Sequence, residues 1–545
     1  MSVLPPAQTA LMSNEAPEIS PDGRRLAFVA TDAAGRSLLY VRELDDPVAR
    51  PLTGTDGASL PFWSPDSNRL GFFSEGQLKT IPVTGGSPIA IARSSTSRGG
   101  TWSRNDLILF VAQPSQPPLM VLPVGGEVTS VPVSEGEQRR FFPRFLPDGR
   151  HYLFLTLGPG AAGLAARVGS IDSPETKEVI AASGSVAFAP SGHLFFRRGA
   201  ALFAQPFDVA NLAVSGAPVA VADTVGFNSV SFQSLFSVSD NGVVALLESA
   251  SGARLTWFDR QGNPQGDAAP EGSYNTLCVT PDQKRIIYDQ VGNASGNVDL
   301  WRRDLDGGPA TRQTFDPGVD FYPVCSPADD KVIFTSLRGG RPATYLQDLS
   351  APGSEKAILD TATTAIATDW SRDGRLIVYS VLHEESSWDV ALMPLAGGEP
   401  ILAAATGAEE RNARLSPDGR WLAYVSNESG RFEVYIQPLP ATGARWQVSR
   451  AGGYQPQWRG DGGEVYYIAP DKKLMAAEIR AEGSGLAVGE PVSLVETRIA
   501  GLQQLPQASQ YGVGANGQRF LIVTPTVAAT PITLVQNWAA PRAYR

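Results

Sequence analysis

The chain has 545 residues, of which 42% are apolar and 18% are charged, an ordinary globular composition that is long enough for two or more domains. The formal net charge of -10 and the pI near 5.1 argue against nucleic acid or an anionic membrane surface as the main partner, because both are bound through dense lysine and arginine contacts. The sequence contains no stretch of about 18 apolar residues, so we expect no membrane insertion of this chain.

A tetrad that resembles Ser-Pro-Asp-Gly recurs along the whole chain, each time after an apolar residue and before a short β-branched or aromatic run. Successive tetrads start 39 to 55 residues apart, and a strand-rich repeat of about 40 to 45 residues is typical of propeller blades. Proline presets φ at the second position of a type I turn, and Asp and Gly tolerate the next positions, so each tetrad should join two antiparallel strands. The tetrads begin at Ser20, Ser64, Ser103, Leu146, Ala189, Ser239, Thr280, Ser326, Ser371, Ser416, Arg459 and Gly514.

The residue before each tetrad is apolar in all twelve repeats. A four-stranded blade exposes two apolar faces and buries them only against its neighbours, so we expect these side chains to fill the spaces between blades. They are Ile19, Trp63, Trp102, Phe145, Phe188, Val238, Val279, Cys325, Trp370, Leu415, Trp458 and Val513.

The repeat around Ser416 shows most clearly how one blade is built. The sequence predicts four strands in it, because β-branched and aromatic runs alternate with turn residues. These strands cover residues 411–415, 421–425, 432–437 and 444–448.

The repeats predict an all-β fold of two tandem six-bladed β-propellers made of four-stranded antiparallel blades, because propellers ordinarily have about four to eight blades. We place the first propeller in residues 1–260 and the second in residues 261–545. On this division residues 255–258 give the sixth blade its third strand, and residues 532–538 do the same for the twelfth. Closing strands are then expected from residues 2–6 for the sixth blade and from residues 263–268 for the twelfth, since an open sheet edge must be covered.

Cys278 and Cys325 lie two residues and one residue before their tetrads. Side chains alternate along a strand, so the two thiols should point to opposite sides of neighbouring strands, and we expect no disulfide between them.

The first strand of a propeller blade lines the central channel, and the residues just before it reach the rim opposite the tetrad turns. Aromatic, amide and arginine side chains there would suit a peptide or a sugar, and Arg411 would take a carboxylate through two hydrogen bonds. The alternative is that these residues only solvate the channel, or that phenylalanines next to the arginines only pack. The candidates are Tyr274, Asn275, Asp320, Tyr322, Arg411, Asn412 and Tyr454 in the second ring, and Glu15, Arg139 and Arg140 in the first.

His383 and Glu384 fall in a loop on the same rim and are weak candidates for acid–base chemistry or metal ligation, with a solvated polar loop as the alternative. The sequence contains no Gly-x-Ser-x-Gly elbow, zinc motif, EF-hand loop or P-loop, so we expect no cofactor and no catalytic residues of these standard types.

The repeats resemble those of TolB-like or PD40 (WD40-like) propellers, whose motif is similar to Pro-x-Trp-Ser-Pro-Asp-Gly; residues 61–67 are the nearest match. More narrowly, residues 54–66, 142–151 and 255–260 are similar to the extracytoplasmic propeller region of bacterial membrane-bound serine/threonine protein kinases. The chain lacks the His-Arg-Asp catalytic loop of those kinases, so the resemblance implies a sensory or binding region and no kinase activity.

The leading interpretation is a non-catalytic module that binds a protein or a peptide, with a glycan as an alternative ligand, on a rigid scaffold. The alternative is a propeller-type hydrolase or lyase with a site in the funnel of one ring, and a third interpretation is a scaffold that joins larger assemblies. We expect a periplasmic or extracellular location if the chain is part of a membrane-anchored protein, and a cytoplasmic one if Met1 is the native start.

Overall fold

The computed structural model describes residues 1–7, 9–12, 15–32, 36–94, 97–112, 117–121, 126–134, 140–157, 164–228, 231–248, 253–291, 297–339, 342–359, 364–382, 388–483, 485–499, 507, 509–514, 517–526 and 531–538. The chain divides into two compact units. The first combines Met1–Ala250 with Val527–Arg545, and the second is Ser251–Thr526. Every regular element within the described ranges is a β-strand.

The first unit contains six antiparallel sheets and one short hairpin. Strand β1 (Ser2–Val3) belongs to the sixth of these sheets. Sheet A holds β2 (Ala10–Leu11), β3 (Glu18–Ile19), β4 (Arg25–Thr31), β5 (Ser37–Glu43) and β6 (Ala49–Pro51), and sheet B holds β7 (Ser59–Trp63), β8 (Arg69–Ser74), β9 (Gln77–Pro82) and β10 (Ile89–Arg93). Sheet C holds β11 (Gly100–Trp102), β12 (Ile108–Phe110), β13 (Leu119–Val121) and β14 (Thr129–Ser130), and sheet D holds β15 (Phe141–Phe145), β16 (His151–Leu157), β17 (Leu164–Ser170) and β18 (Ser173–Ala181). Sheet E holds β19 (Ala187–Ala189), β20 (His193–Arg198), β21 (Ala201–Asp208), β22 (Ala213–Val214) and β23 (Val219–Ala222); the hairpin is β24 (Phe227–Asn228) and β25 (Gln233–Ser234); sheet F begins with β26 (Phe236–Val238) and β27 (Val244–Leu247).

The second unit also contains six antiparallel sheets. Its first two strands, β28 (Ala253–Asp259) and β29 (Pro264–Gly272), belong to the last of them. Sheet G holds β30 (Tyr274–Val279), β31 (Arg285–Val291), β32 (Val298–Asp304) and β33 (Thr311–Arg312), and sheet H holds β34 (Asp320–Cys325), β35 (Lys331–Ser336), β36 (Ala343–Asp348) and β37 (Lys356–Leu359). Sheet I holds β38 (Thr364–Trp370), β39 (Leu376–Leu382), β40 (Trp388–Pro394) and β41 (Ile401–Ala404), and sheet J holds β42 (Glu410–Leu415), β43 (Trp421–Ser426), β44 (Glu433–Pro438) and β45 (Trp446–Gln447). Sheet K holds β46 (Tyr454–Trp458), β47 (Glu464–Ile468), β48 (Lys473–Glu482), β49 (Gly485–Val488) and β50 (Val492–Glu496), and sheet L adds β51 (Tyr511–Val513) and β52 (Arg519–Pro525) to β28 and β29. The last strand of the chain is β53 (Ile532–Val535), in the first unit.

Each tetrad forms a tight turn between the first and second strands of its sheet. In all twelve, the N–H of the fourth residue donates to the carbonyl of the first, with N···O distances of 2.7 to 3.2 Å. The fourth residue always has a positive φ, between 59° and 83°, which completes the turn-plus-bulge geometry of a three-residue hairpin loop. In the turn at Ser416, the serine Oγ also donates to Asp418 Oδ1 at 2.6 Å. The predicted tetrad turns are confirmed.

The hydrophobic core of each unit lies between successive sheets. Val29 and Leu39 of sheet A, for example, share a buried cluster with Phe72 and Ile81 of sheet B. Such clusters join A to B, C to D, E to F and F to A in the first unit, and G to H, H to I, I to J, J to K, K to L and L to G in the second. Strand β7 contacts β11, and β18 contacts β22. In each unit the sheets therefore contact one another in chain order, and the last contacts the first.

The sixth sheet of each unit is completed by strands from both ends of that unit. In sheet F, β53 pairs with β27 and β1 pairs with β53. In sheet L, β28 pairs with β52 and β29 pairs with β28. The closing roles expected of residues 2–6 and 263–268 are confirmed.

The third strands of these two sheets are exchanged relative to the sequence prediction. Residues 255–258 lie in β28 of sheet L, and residues 532–535 lie in β53 of sheet F. The second unit is thus inserted into the chain between the second and third strands of sheet F. The expected border after residue 260 differs from this division, since residues 251–260 belong to the second unit and residues 527–545 to the first.

Cys278 and Cys325 form a disulfide, with their Cα atoms 5.9 Å apart, so the expectation of two unpaired thiols is wrong. Cys278 is in β30 of sheet G and Cys325 is in β34 of sheet H. When sheets stack, one face of a sheet meets the opposite face of the next sheet. Cys278 and Cys325 point to opposite faces of their own sheets, and for that reason their side chains meet in the gap between sheet G and sheet H.

Candidate functional site

The residues predicted to line the mouth of the second channel are placed together at the starts of the first strands, but they point into the protein. Tyr274, Asp320, Tyr322, Arg411, Asn412 and Tyr454 are all buried, and Asn275 is half-buried. Their polar groups are used in contacts within the unit, which the following paragraphs describe.

A β-bulge in the first strand explains this burial. Tyr322 and Asn412 have φ values of 57° and 51°, and the pairing register shifts at these positions in β34 and β42. Leu60, Phe142 and Gln455 have the same left-handed backbone four residues before their tetrads. A bulge adds one residue and re-aims the side chains that follow it, so strict alternation gives the wrong direction.

The bulge amide is directed towards the preceding sheet. The Tyr322 N–H donates to Asp289 Oδ2 of sheet G at 3.4 Å, and the Leu60 N–H donates to Glu15 Oε2 at 2.9 Å. Asp289 also accepts the Thr276 N–H at 2.9 Å. Glu15 is therefore a buried acceptor between sheets and is not a ligand-facing carboxylate as predicted.

Asp320 and Arg411 are each paired with an opposite charge inside the second unit. Both Asp320 carboxylate oxygens lie 3.2 Å from Arg338 Nη2, and burial raises the pKa of Asp320 to about 6. Arg411 Nη1 donates to Glu409 Oε1 at 2.8 Å, and its guanidinium lies 3.9 Å from the centre of the Phe432 ring. Arg411 is thus committed to an internal carboxylate, which argues against the predicted capture of an external one.

Gln507 and Gln510, which lie just before β51, form hydrogen bonds with polar groups near the predicted mouth of the second channel. The Asn412 N–H donates to Gln507 Oε1 at 3.1 Å, and Ser380 Oγ donates to the same oxygen at 2.8 Å. Gln455 and Gln510 bond each other, since Gln455 Nε2 donates to Gln510 Oε1 and the Gln510 N–H donates to Gln455 Oε1, both at 2.9 Å. The tyrosines are also engaged, because Tyr274 OH donates to the Pro270 carbonyl at 2.6 Å.

Of the two arginine candidates in the first unit, the structure describes Arg140 and does not describe Arg139. Arg140 is fully buried, donates to Tyr152 OH and to the Pro174 carbonyl, and lies 5.0 Å from the centre of the Phe154 ring. It packs between strands of sheet D and does not face a channel mouth. Arg139 lies outside the described residues, as do His383 and Glu384.

A cavity of about 150 Å³ lies in the first unit at the end of the sheets that carries the tetrad turns. All six sheets contribute to its lining, and so does the second residue of all six tetrads. Those residues are Pro21, Pro65, Arg104, Pro147, Pro190 and Asp240. The cavity therefore opens at the rim opposite the one on which the sequence placed the candidate site.

The walls of this turn-end cavity combine aromatic and proline side chains with charged and hydroxyl side chains. Trp63, Trp102, Phe145 and Phe188 stand directly before their tetrads and line it. The two indole N–H groups already have acceptors: Trp63 Nε1 donates to the Glu18 carbonyl at 2.9 Å, and Trp102 Nε1 donates to Asp106 Oδ1 at 2.8 Å. Both indole N–H groups are thus already used within the protein, and the four rings contribute apolar surface to the walls.

Two ion pairs connect sheets across the turn-end cavity. Arg144 of sheet D donates to Glu18 of sheet A, and Arg104 beside sheet C pairs with Asp240 beside sheet F at 3.1 Å. Each pair joins sheets three positions apart in a cycle of six. Glu18 is buried, and burial raises its pKa while Arg144 lowers it. The Arg104–Asp240 pair is more than half exposed on the arginine side and is accessible to a partner.

The sequence contained a signal for this site that residue-by-residue reasoning missed. Four second tetrad positions of the first unit are proline, whereas Arg104 and Asp240 replace it in the third and sixth repeats. A proline at this position only shapes the turn. Opposite charges at two such positions, three repeats apart, would have marked a charged mouth.

Features of a membrane-spanning helix and of a metal site are absent from the part of the chain that the structure describes. Over these ranges, no helix is long and apolar enough to cross a membrane. No group of three His, Cys, Asp or Glu side chains in the described part of the chain is arranged to hold a metal ion.

Residues 321–487 match the family model described as the TolB beta propeller domain, PD40. The chain is similar to the PD40 family. The PD40 match begins in β34 and ends in β49, so it covers sheets H to K of the second unit. The resemblance to TolB-like repeats is confirmed at this level, while the narrower resemblance to kinase propeller regions stays a prediction.

Curated relatives match short parts of the chain. A protein TolB homolog of Chlorobium luteolum is 26% identical over 151 residues, which is 27% of this chain and 33% of the relative. Tricorn protease homolog 1 of Streptomyces coelicolor is 32% identical over 103 residues, 18% of this chain and 10% of the relative. The chain thus spans a third or less of the length of these two relatives.

Two solved structures also share limited similarity with the chain. The putative TolB from Agrobacterium tumefaciens is 16% identical, with 50% of this chain and 98% of that chain covered and a TM-score of 0.39. The tricorn protease is 11% identical, with 88% and 58% covered and a TM-score of 0.32.

Proposed function

We propose that the chain is a non-catalytic module that binds a protein or a peptide, built from two six-bladed TolB-like propellers. The six sheets of each unit, their contacts in chain order and the contact of the last sheet with the first support the propeller architecture. In this architecture each sheet is one blade, and strands from both ends of a unit close its sixth blade.

The turn-end cavity of the first unit is the observation that carries the binding function. Its walls combine aromatic faces with prolines, and its mouth carries the exposed Arg104–Asp240 pair. Aromatic faces give a peptide large contact area at little cost in conformational entropy, and a charge pair at the rim orients it. We favour a peptide over a neutral glycan, because the charged groups of a peptide gain from complementary charges at the cavity mouth and a neutral glycan has none.

The test is affinity selection of displayed random peptides on the intact chain, followed by measurement of their binding to variants. Arg104→Glu places two like charges at the cavity mouth, and we expect it to weaken the selected peptides about tenfold. Arg150→Glu is the matched control. Arg150 is similarly exposed and pairs with Asp172 at 2.9 Å, but it does not line the cavity.

Binding that is equal in wild type, Arg104→Glu and Arg150→Glu would defeat the assignment of this cavity. Failure to select any peptide that binds the folded chain would count against the binding function itself. Circular dichroism of each variant shows that a loss of binding does not come from unfolding.

The hydrolase or lyase alternative gains no support from a specific observation. Asp320, a candidate at the second channel mouth, is held in an internal ion pair, and the candidate Tyr322 is buried. His383 and Glu384 lie outside the described residues.

The Cys278–Cys325 disulfide favours a location outside the cytoplasm, because structural disulfides persist in oxidising compartments. This supports the periplasmic or extracellular alternative. The role of the module in a larger signalling protein stays a prediction.

A further inference from the structure

Arg197 is a buried cation in the first unit, and it forms no ion pair with any carboxylate that the structure describes. It is the fifth residue of β20, so it lies at the end of sheet E that is remote from the tetrad turns and from the turn-end cavity. Only 7% of the residue is exposed. Among the described residues, no aspartate or glutamate oxygen lies within 4.0 Å of its guanidinium nitrogens.

Arg411, which is also buried, has the carboxylate of Glu409 as its acceptor, and the half-buried Arg338 has that of Asp320. Arg197 has one long hydrogen bond, from Nη1 to the Ser183 carbonyl at 3.4 Å, and its Nε has no partner. Leaving a buried charge without an opposite charge is strongly unfavourable. A protein retains such a group most readily when a ligand supplies the missing charge.

The surroundings of Arg197 form a small polar cradle at the surface. Its guanidinium stacks on Phe227, with 4.5 Å from Cζ to the ring centre. Phe227 and Ser183 are both half-buried, so the cradle reaches solvent. The ring holds the guanidinium in place and leaves its outer edge free to receive hydrogen-bond acceptors.

Ser234 supplies a second buried polar group next to Phe227, because the two residues are paired in the β24–β25 hairpin. Its Oγ has no hydrogen-bond partner, while its N–H donates to Ser185 Oγ at 2.9 Å. Gly184 packs directly against both residues, because a Cβ added there would lie 2.4 Å from Ser234 Oγ and 3.0 Å from the Phe227 ring. The cradle therefore has a guanidinium and a hydroxyl, both able to donate, and both on residues that neighbour Phe227.

Burial lowers the pKa of Arg197 to about 10, so the side chain still carries its positive charge at neutral pH. One cation and one hydroxyl donor match a monoanion with two coplanar oxygens. A phosphate dianion would be matched better by two cations, and the neighbouring arginine, Arg198, stacks on Phe196 and Phe203 instead.

We propose that Arg197 and Ser234 form a binding site for a carboxylate, separate from the turn-end cavity. The carboxylate accepts two hydrogen bonds from the guanidinium and one from the Ser234 hydroxyl. Its source is either a peptide C-terminus or a small free carboxylic acid. The proposal does not rest on the peptide-binding function of the turn-end cavity.

The test is calorimetric titration of the intact chain with three probes at constant ionic strength: acetate, N-acetyl-trialanine and N-acetyl-trialanine amide. We expect the free acids to bind and the amide not to bind. Arg197→Met should weaken the acids by about tenfold or more, as expected for the loss of a charge-assisted hydrogen-bond pair, and Arg197→Lys should weaken them less. Arg198→Met is the matched control, because Arg198 is the exposed neighbour that stacks on Phe196 and Phe203.

Thermal unfolding without ligand separates a binding role from a structural one. If the charge serves a ligand, Arg197→Met should unfold at the same temperature as wild type or at a higher one, because it removes an unneutralised buried charge. A markedly lower unfolding temperature in Arg197→Met would show that Arg197 is structural and would overturn the proposal.

The binding outcomes are equally decisive. Equal binding of the acid and the amide, equal binding by wild type and Arg197→Met, or no binding of either acid would overturn the carboxylate site. Stronger binding of N-acetyl-trialanine than of acetate identifies a peptide C-terminus as the source, and equal binding identifies a free acid. Arg104→Glu should leave all these titrations unchanged, so failure of this site is distinguishable from failure of the turn-end cavity.

Discussion

Asp320 is a fully buried carboxylate in β34, and its ionisation links the stability of the second unit to pH. Burial raises its pKa from 3.8 to about 6, although Arg338 opposes the rise. The folded state therefore holds this proton at pH values where the unfolded chain has released it. Between those two pKa values the folded state binds more protons, so the free energy of unfolding falls as the pH rises.

The variant Asp320→Asn removes this titration. From about pH 4 to about pH 7, we expect the stability of the variant relative to wild type to increase by up to about 3 kcal/mol, which corresponds to a shift of about two pKa units. Urea unfolding across this pH range measures the difference. A constant difference between the two proteins would show that Asp320 does not titrate in this window.

The same residue shows where sequence reasoning at this scale succeeds and where it stops. The position of Asp320 at the start of a first strand was predicted from the repeat, and β34 begins with it. The direction of its side chain was not predicted, because the bulge at Tyr322 breaks the alternation of side chains along the strand. The type of residue at this position does not predict the bulge, because leucine, phenylalanine, tyrosine, asparagine and glutamine all adopt it at equivalent positions. Only the contacts between sheets select it.

At the scale of elements, the Cys278–Cys325 disulfide ties the first strand of sheet G to the first strand of sheet H. Its half-cystines pack beside the buried cluster of Ile287, Val332 and Phe334. The bond closes a loop with a sequence separation of 47, and a loop of this size contributes roughly 2–4 kcal/mol by restricting the unfolded chain.

We therefore expect a reducing agent to lower the urea midpoint of wild-type unfolding. The double variant Cys278→Ala/Cys325→Ala should unfold near the midpoint of the reduced wild type and should not respond to the reducing agent. A reductant effect of equal size in both proteins would show that it acts elsewhere. This pairing could not be predicted from strand alternation alone, because the relevant faces belong to different sheets.

At the scale of the whole molecule, the order of the strands in the two sixth sheets determines which fragments of the chain can fold on their own. The four-strand unit, the turn positions and the closing strands at residues 2–6 and 263–268 follow from the repeat, because each depends on local sequence. The exchange of β28 and β53 does not. Both third strands are apolar, both follow similar tetrads, and either would fit either sheet by pattern. The choice depends on which partners complete a closed unit, so it is a property of the whole chain.

The second unit is continuous in sequence, and this permits a direct test of the exchange. The fragment 251–526 contains every strand of sheets G to L, so we expect it to unfold cooperatively on its own. The fragment 261–545 follows the border suggested by the repeat, and it lacks β28. Leu255 and Trp257 of that strand belong to the buried cluster between sheets L and G, and losing two such side chains alone removes about 3–6 kcal/mol of burial.

We expect fragment 261–545 to be much less stable than fragment 251–526, or not to fold, as measured by circular dichroism and urea unfolding. The matched control joins residues 1–250 to residues 527–545 through a short glycine–serine linker. Leu247 pairs with Ile532 in sheet F, so the two ends are close enough to be linked, and this control should fold as well. Equal stability of the two fragments, with the linked control unfolded, would mean that β53 belongs to the second unit, and that the two sixth sheets each keep the third strand that follows them in the chain.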